Sequence, residues 1–176
     1  MSRKKTEIRG ETLLEDIERI LPTTTGRVAA ITCDIEPDFG NRTNSEELLT
    51  HRRHLDQLHQ LLASHETPLS VFVVTRCLRH DSLVQTIIEH QLDAHAHSHN
   101  HDMASYQTNT RQEIHTSQEA FVSCFGRPAL GYRAPQGVLL PNDPEEIAQA
   151  GFAFSSSVFP SRRRGLFDYR ALPQTP

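Results

Sequence analysis

Residues 68–101 read PLSVFVVTRCLRHDSLVQTIIEHQLDAHAHSHNH. After Pro68 the run LSVFVVTR is predominantly apolar, as in a strand buried on both faces. Asp81 to about Gln91 has helical spacing, and Leu92–His97 reads as a second strand. A strand, a helix and a strand in such quick succession make a parallel crossover unit. The second strand runs into His95, His97, His99 and His101, four of the eleven histidines in a chain without tryptophan.

The alternation continues on both sides. Upstream, ETLLEDIERIL (11–21) places Leu13, Leu14, Ile17 and Leu21 at helical spacing and is closed by Pro22. Arg27–Ile35 is a β-type run that turns acidic at its end. Ser45 is a candidate N-cap for a long amphipathic helix reaching about His65. Downstream, Thr108–Phe125 reads as a helix ended by Gly126 and Pro128. Ala129–Ala134 is predicted as a strand, Asn142–Ala150 as a helix and Phe152–Val158 as a strand. Five strands alternating with helices predict parallel α/β architecture, either doubly wound or a barrel. In both, chemistry collects at the C-terminal ends of the strands.

The 176 residues predict one main domain, 27–176, preceded by a helical extension over 1–26. A net charge of −4 gives no electrostatic reason to expect nucleic acid. No apolar run is long enough for a membrane span. The basic start MSRKK leads into no apolar stretch, so residence in the cytoplasm is expected. Cys33, Cys77 and Cys124 are far apart, which predicts three reduced, mostly buried thiols rather than a disulfide or thiolate framework.

Polar groups stand at three strand ends. Asp34, Glu36 and Asp38 crowd past the first strand, where their repulsion needs a cation or hydrogen bonds to offset it, unless the loop is simply solvated. His97 and His101, four apart, share a face if the chain turns helically, and neutral imidazoles there suit zinc, cobalt, nickel or iron. His95 and His97 share a face instead if the strand continues. A carboxylate from another strand would complete a His₂-carboxylate set, leaving His95 or His99 to support the ligands. Arg133-Ala134-Pro135-Gln136-Gly137 makes a turn from which Arg133 could aim its fork at a carboxylate.

Together these segments resemble the polysaccharide deacetylases, the NodB-homology domain of carbohydrate esterase family 4. Asp34-Ile35-Glu36 is similar to the family's first motif, His97-Ser98-His99-Asn100-His101 to its His-Ser/Thr-x-x-His, and Arg133 to Gly137 to its Arg-x-Pro-x-Gly. The likeness runs over about 27–160, including Gly151–Pro160. It implies a distorted (β/α) barrel, here incomplete at its C-terminal end. It implies one divalent metal ion, zinc first, held by Glu36, His97 and His101, with Asp38, His95 and His99 as supporting or alternative ligands. Asp34 would be the general base, Arg133 its partner, and the Gln136 N–H would help hold an oxyanion. The substrate implied is an N-acetylated amino sugar or a related small amide.

Two departures matter. Relatives take the acid for the leaving amine from a later Leu-x-His, and no histidine follows His115. Ser155 stands where relatives often carry an aspartate that supports the arginine. A truncated chain, another acid, or a metal-binding domain without catalysis are the expectations that follow, with self-association through open strand edges. The runner-up is a PHP-type or amidohydrolase-like metal hydrolase using His95-Ala96-His97.

Overall fold

The computed structural model describes residues 30–37, 52–102, 106 and 108–157. Strands β1 (Ile31–Ile35), β2 (Leu69–Val73), β3 (Asp93–Ala96), β4 (Gly131–Tyr132) and β5 (Phe154–Ser155) form one parallel sheet. Their order in space is their order in sequence. A doubly wound sheet has to reverse direction at a switch point; a barrel wall does not. The unbroken order is that of a barrel wall. Helices α1 (Arg52–Ala63), α2 (Asp81–Glu89), α3 (Thr110–Phe125) and α4 (Asp143–Gln149) supply the crossovers, with single 3₁₀ turns at Thr75–Arg79 and Pro135–Gly137. Among the described residues no helix is long and apolar enough to cross a membrane.

Side chains alternate across a strand, so each strand divides its residues between two faces. One face carries Ile35, Val71, Val73, Ala94, Ala96 and Tyr132, which pack with Leu55, Leu83, Ile87, Ile114, Phe121 and Ile147 in a single buried cluster. The other face carries Thr32, Asp34, Ser70, Phe72, Asp93, His95, Gly131 and Phe154. The register aligns Asp34 with Phe72 and Phe72 with His95. The helix-covered face holds the core, which leaves the polar face for chemistry.

The helix ends follow their sequence signals. Gly126 takes a left-handed φ of 67° and its N–H reaches the Val122 carbonyl, a glycine C-cap on α3. Gln118 then receives the Ala129 N–H (2.8 Å) and donates to the Ala129 carbonyl (3.1 Å), holding the chain as it enters β4. On the far side of β4, the buried Tyr106 hydroxyl donates to Asp143 (3.1 Å), whose carboxylate also accepts the Leu140 N–H (2.8 Å). Burial raises the Asp143 carboxyl above its usual range.

Several boundaries are shorter than the sequence suggests. The strand from Leu69 stops at Val73, because Thr75 and Arg76 curl into a 3₁₀ turn with N–H groups donating to the Ser98 and His99 carbonyls. Only Gly131–Tyr132 and Phe154–Ser155 of the last two runs pair as strand. Of the thiols, Cys77 is buried while Cys33 and Cys124 are half-buried, and none is in a disulfide. The helix expected over 11–21, Ser45 and Asp38 lie outside the described residues.

Candidate metal centre

β1 and β3 flank β2, and on the polar face Glu36 and His97 come two residues after Asp34 and His95. Glu36 and His97 therefore project at the C-terminal rim, where the chain leaves the sheet. His101 completes the group: ligand atoms of Glu36, His97 and His101 all lie within 4.8 Å of one another. The His101 Nε2 is 2.9 Å from the Glu36 carboxylate, and the rings of His97 and His101 are 4.8 Å apart. Their side chains are 7% and 3% exposed for His101 and His97, and 16% for Glu36. Two buried imidazoles and a carboxylate fit the donor set of a divalent transition metal with positions left open.

The rings are oriented by hydrogen bonds. His97 Nδ1 donates to the Arg133 carbonyl (2.9 Å), so the lone pair of Nε2 faces the group. Burial, with His101 beside it, holds the His97 imidazole below its usual value, against the pull of Asp34 and Glu36. A neutral imidazole is the form that binds metal. Burial would raise the Glu36 carboxyl, but the hydrogen bond and charge of His101 and the charge of His97 outweigh it and leave it low.

His97 and His101 do not meet on a helix, as spacing alone allowed. The chain between them is a loop with left-handed residues at Ser98 and His101, both at φ 58°. Ser98 Oγ accepts the His101 N–H (3.1 Å), and Thr75 binds the Ser98 carbonyl through its N–H (3.0 Å). Glu113, buried on α3, accepts the N–H groups of His99 (3.1 Å) and Asn100 (2.8 Å) and the Asn100 side-chain amide (2.6 Å). Four in seven residues was the signal for the histidines. Glu113 also left one: it falls on the same helical stripe as Ser117 and Phe121, where a carboxylate has no business unless it is paired.

Asp34 stands beside this group. Its Oδ1 accepts from Arg133 Nη1, and its Oδ2 is 3.8 Å from His97 Nε2. The arginine is held on every side. Its Nη2 donates to Ser156 Oγ (2.8 Å) and Thr32 Oγ1 (3.2 Å), its Nε donates to the Ser156 carbonyl (3.2 Å), and the guanidinium lies 3.8 Å above the Phe72 ring. The residue that supports the arginine is thus Ser156 rather than Ser155. Ser155 lies on the opposite side of its strand, and its hydroxyl pairs with Ser157 Oγ (2.8 Å).

The other histidines stand apart. His95 shares the face of His97 but sits one step deeper, between Phe72 and Phe154. Its Nδ1 accepts the Gly131 N–H (3.2 Å) and its Nε2 meets Asp93 (2.9 Å), so neither nitrogen is left for a metal. That removes the geometric basis of the His95-x-His97 alternative. His99 turns the other way, to Thr75 Oγ1 (3.1 Å). Gln136 lies in the turn after Arg133, exposed and at φ 54°. The Cys33 thiol is pushed up by burial and by Asp34, which disfavours a thiolate nucleophile.

No curated protein matches the sequence. Among solved structures, a candidate polysaccharide deacetylase from Mycobacterium smegmatis aligns with TM-score 0.60 and 21% identity over 74% of this chain and 50% of its own. A family 4 carbohydrate esterase from Streptomyces lividans, solved with acetate, aligns with TM-score 0.53 and 20% identity over 71% and 59%. A carbohydrate esterase family 4 pseudoenzyme from Bacillus anthracis aligns with TM-score 0.55 and 12% identity over 72% and 41%. The chain spans about half the length of these structures, which share its fold. Residues 22–155 match the family model described as polysaccharide deacetylase. On that match, the chain belongs to the polysaccharide deacetylase family.

Proposed function

We propose that this chain hydrolyses the acetamide of an N-acetylated amino sugar, or a related small amide, of the cytoplasm. One observation carries the proposal: Asp34, clamped by Arg133, lies beside the Glu36, His97 and His101 group at the C-terminal rim of a parallel sheet. A divalent cation held by that trio, zinc first among the candidates, supplies Lewis acidity that makes water a better nucleophile and an amide carbonyl a better electrophile. Asp34 acts as general base. Arg133 takes Oδ1, leaving Oδ2 facing the metal group to accept a proton from attacking water. The Gln136 N–H, in the turn after Arg133, contributes to holding the oxyanion.

A second reading is a domain that keeps metal without turnover. It is favoured by the positions of the remaining nearby histidines: His95 is committed to Asp93 and Gly131, and His99 to Thr75, so neither is placed to protonate a leaving amine.

Elemental analysis of the wild type, His97→Ala and His95→Ala, with acetate release from N-acetylglucosamine oligomers, tests both. About one divalent ion per chain, lost in His97→Ala and kept in His95→Ala, is expected. Acetate release abolished by Asp34→Asn supports hydrolysis. Full metal without acetate release selects the second reading, and a wild type that binds no metal refutes both.

A further inference from the structure

We propose that Glu113 is a positioning residue that sets how tightly Glu36, His97 and His101 hold a divalent cation. The inference rests on the metal reading above. Two non-glycine residues of the histidine loop, Ser98 and His101, are left-handed. Such a conformation persists only where the surroundings over-determine it. The Thr75 and Arg76 N–H groups hold the Ser98 and His99 carbonyls, and Glu113 adds a second set of bonds from a separate element. Its Oε2 accepts the backbone N–H groups of His99 and Asn100, and its Oε1 accepts the Asn100 side chain.

Glu113 is 6% exposed, and the hydrogen bonds to its carboxylate come from the two residues at the centre of the loop. A buried carboxylate is costly unless hydrogen-bonded. Any loop conformation that withdraws those three donors leaves the charge without compensation. Glu113 thus favours the one arrangement that sets the His97 and His101 rings 4.8 Å apart. The ligands are then ordered before the cation arrives, and ordering subtracts nothing from binding.

The experiment is calorimetric titration of metal-free protein with Zn²⁺, alongside urea unfolding and amide exchange of the apoprotein. Glu113→Ala should raise the dissociation constant about 10- to 100-fold, the range for groups that orient metal ligands. Glu113→Gln should raise it less, because one amide oxygen can still accept both backbone N–H groups if Asn100 turns its own amide over. Ile114→Val thins the core face of the same helix and removes no hydrogen bond of the loop, so it should lower stability and leave the dissociation constant unchanged. If Glu113→Ala does not fold, Glu113→Gln and Asn100→Ala carry the comparison.

Equal Zn²⁺ affinity in wild type, Glu113→Gln and Asn100→Ala would overturn the proposal, as would an equal shift in Ile114→Val. If the wild type binds no Zn²⁺, the metal reading falls. Exchange protection at the His99 and Asn100 amides, present in wild-type apoprotein and lost in the Glu113 variants, would still show that Glu113 orders the loop.

Discussion

Arg133→Lys keeps the charge opposite Asp34 but replaces a planar five-donor fork with one ammonium group. Four hydrogen bonds and one ring contact are at stake. A lysine Nζ can reach Asp34 or Ser156, not both, and the Coulomb attraction selects Asp34. Thr32 is exposed and its hydroxyl turns to water at little cost. Ser156 is half-buried and loses two bonds from a charged donor, each about 1.5–3 kcal/mol when fully buried. Halving that for partial exposure gives about 2 kcal/mol. The guanidinium over Phe72 adds about 0.5–1 kcal/mol. The expected loss is about 3 kcal/mol, a melting-point drop of roughly 6–12 °C for a chain of this size. Urea unfolding of apoprotein measures it directly. A loss below about 1 kcal/mol would show that the charge alone, rather than the fork, holds the site.

Acid should weaken the apoprotein through His97. Its folded value lies below the ordinary one of about 6.5, so between the two the unfolded chain binds more protons and stability falls as pH drops through that window. Glu36 is also lowered, so its contribution is present above the ordinary carboxyl range and lost as pH falls through its folded value. His97→Gln should flatten the slope of the melting point between pH 7 and 5; an unchanged slope would assign it to other histidines. Gly131→Ala places a Cβ 2.4 Å from Phe154 Cζ and 3.0 Å from His95 Cγ. Overpacking of that kind costs about 1–3 kcal/mol, and a thermal melt as stable as wild type would mean that Phe154 swings aside freely.

The alternation of strands and helices was legible because buried parallel strands and amphipathic helices differ in period, and Gly126 marked the end of α3. Strand ends were overestimated where apolar residues continue past the last paired residue, as at Val74 beyond the Ile35–Val73 pair. The histidines stood out by density and Asp34 and Glu36 by crowding at a strand end. Spacing could not tell a helical turn from a loop between His97 and His101, since both bring the rings together. Nor could it separate His95 from His97, which share a face and differ only in depth. Ser156 was hidden by a one-residue offset: in a strand, adjacent serines point to opposite sides. Glu113 was hidden by sequence distance, although a carboxylate on a buried helical stripe is a pattern that can be sought.

Arg133 also joins two tasks in one residue. Its carbonyl oxygen fixes the ring of His97 and its guanidinium fixes Asp34. The spacing between the Asp34 carboxylate and the His97 ring is therefore anchored at one residue, not negotiated between distant loops. Insertions elsewhere around the rim can reshape what enters the site while that spacing is inherited unchanged. A variant that shifts the backbone at Arg133 should move both halves in concert, so metal affinity and proton transfer would decline together.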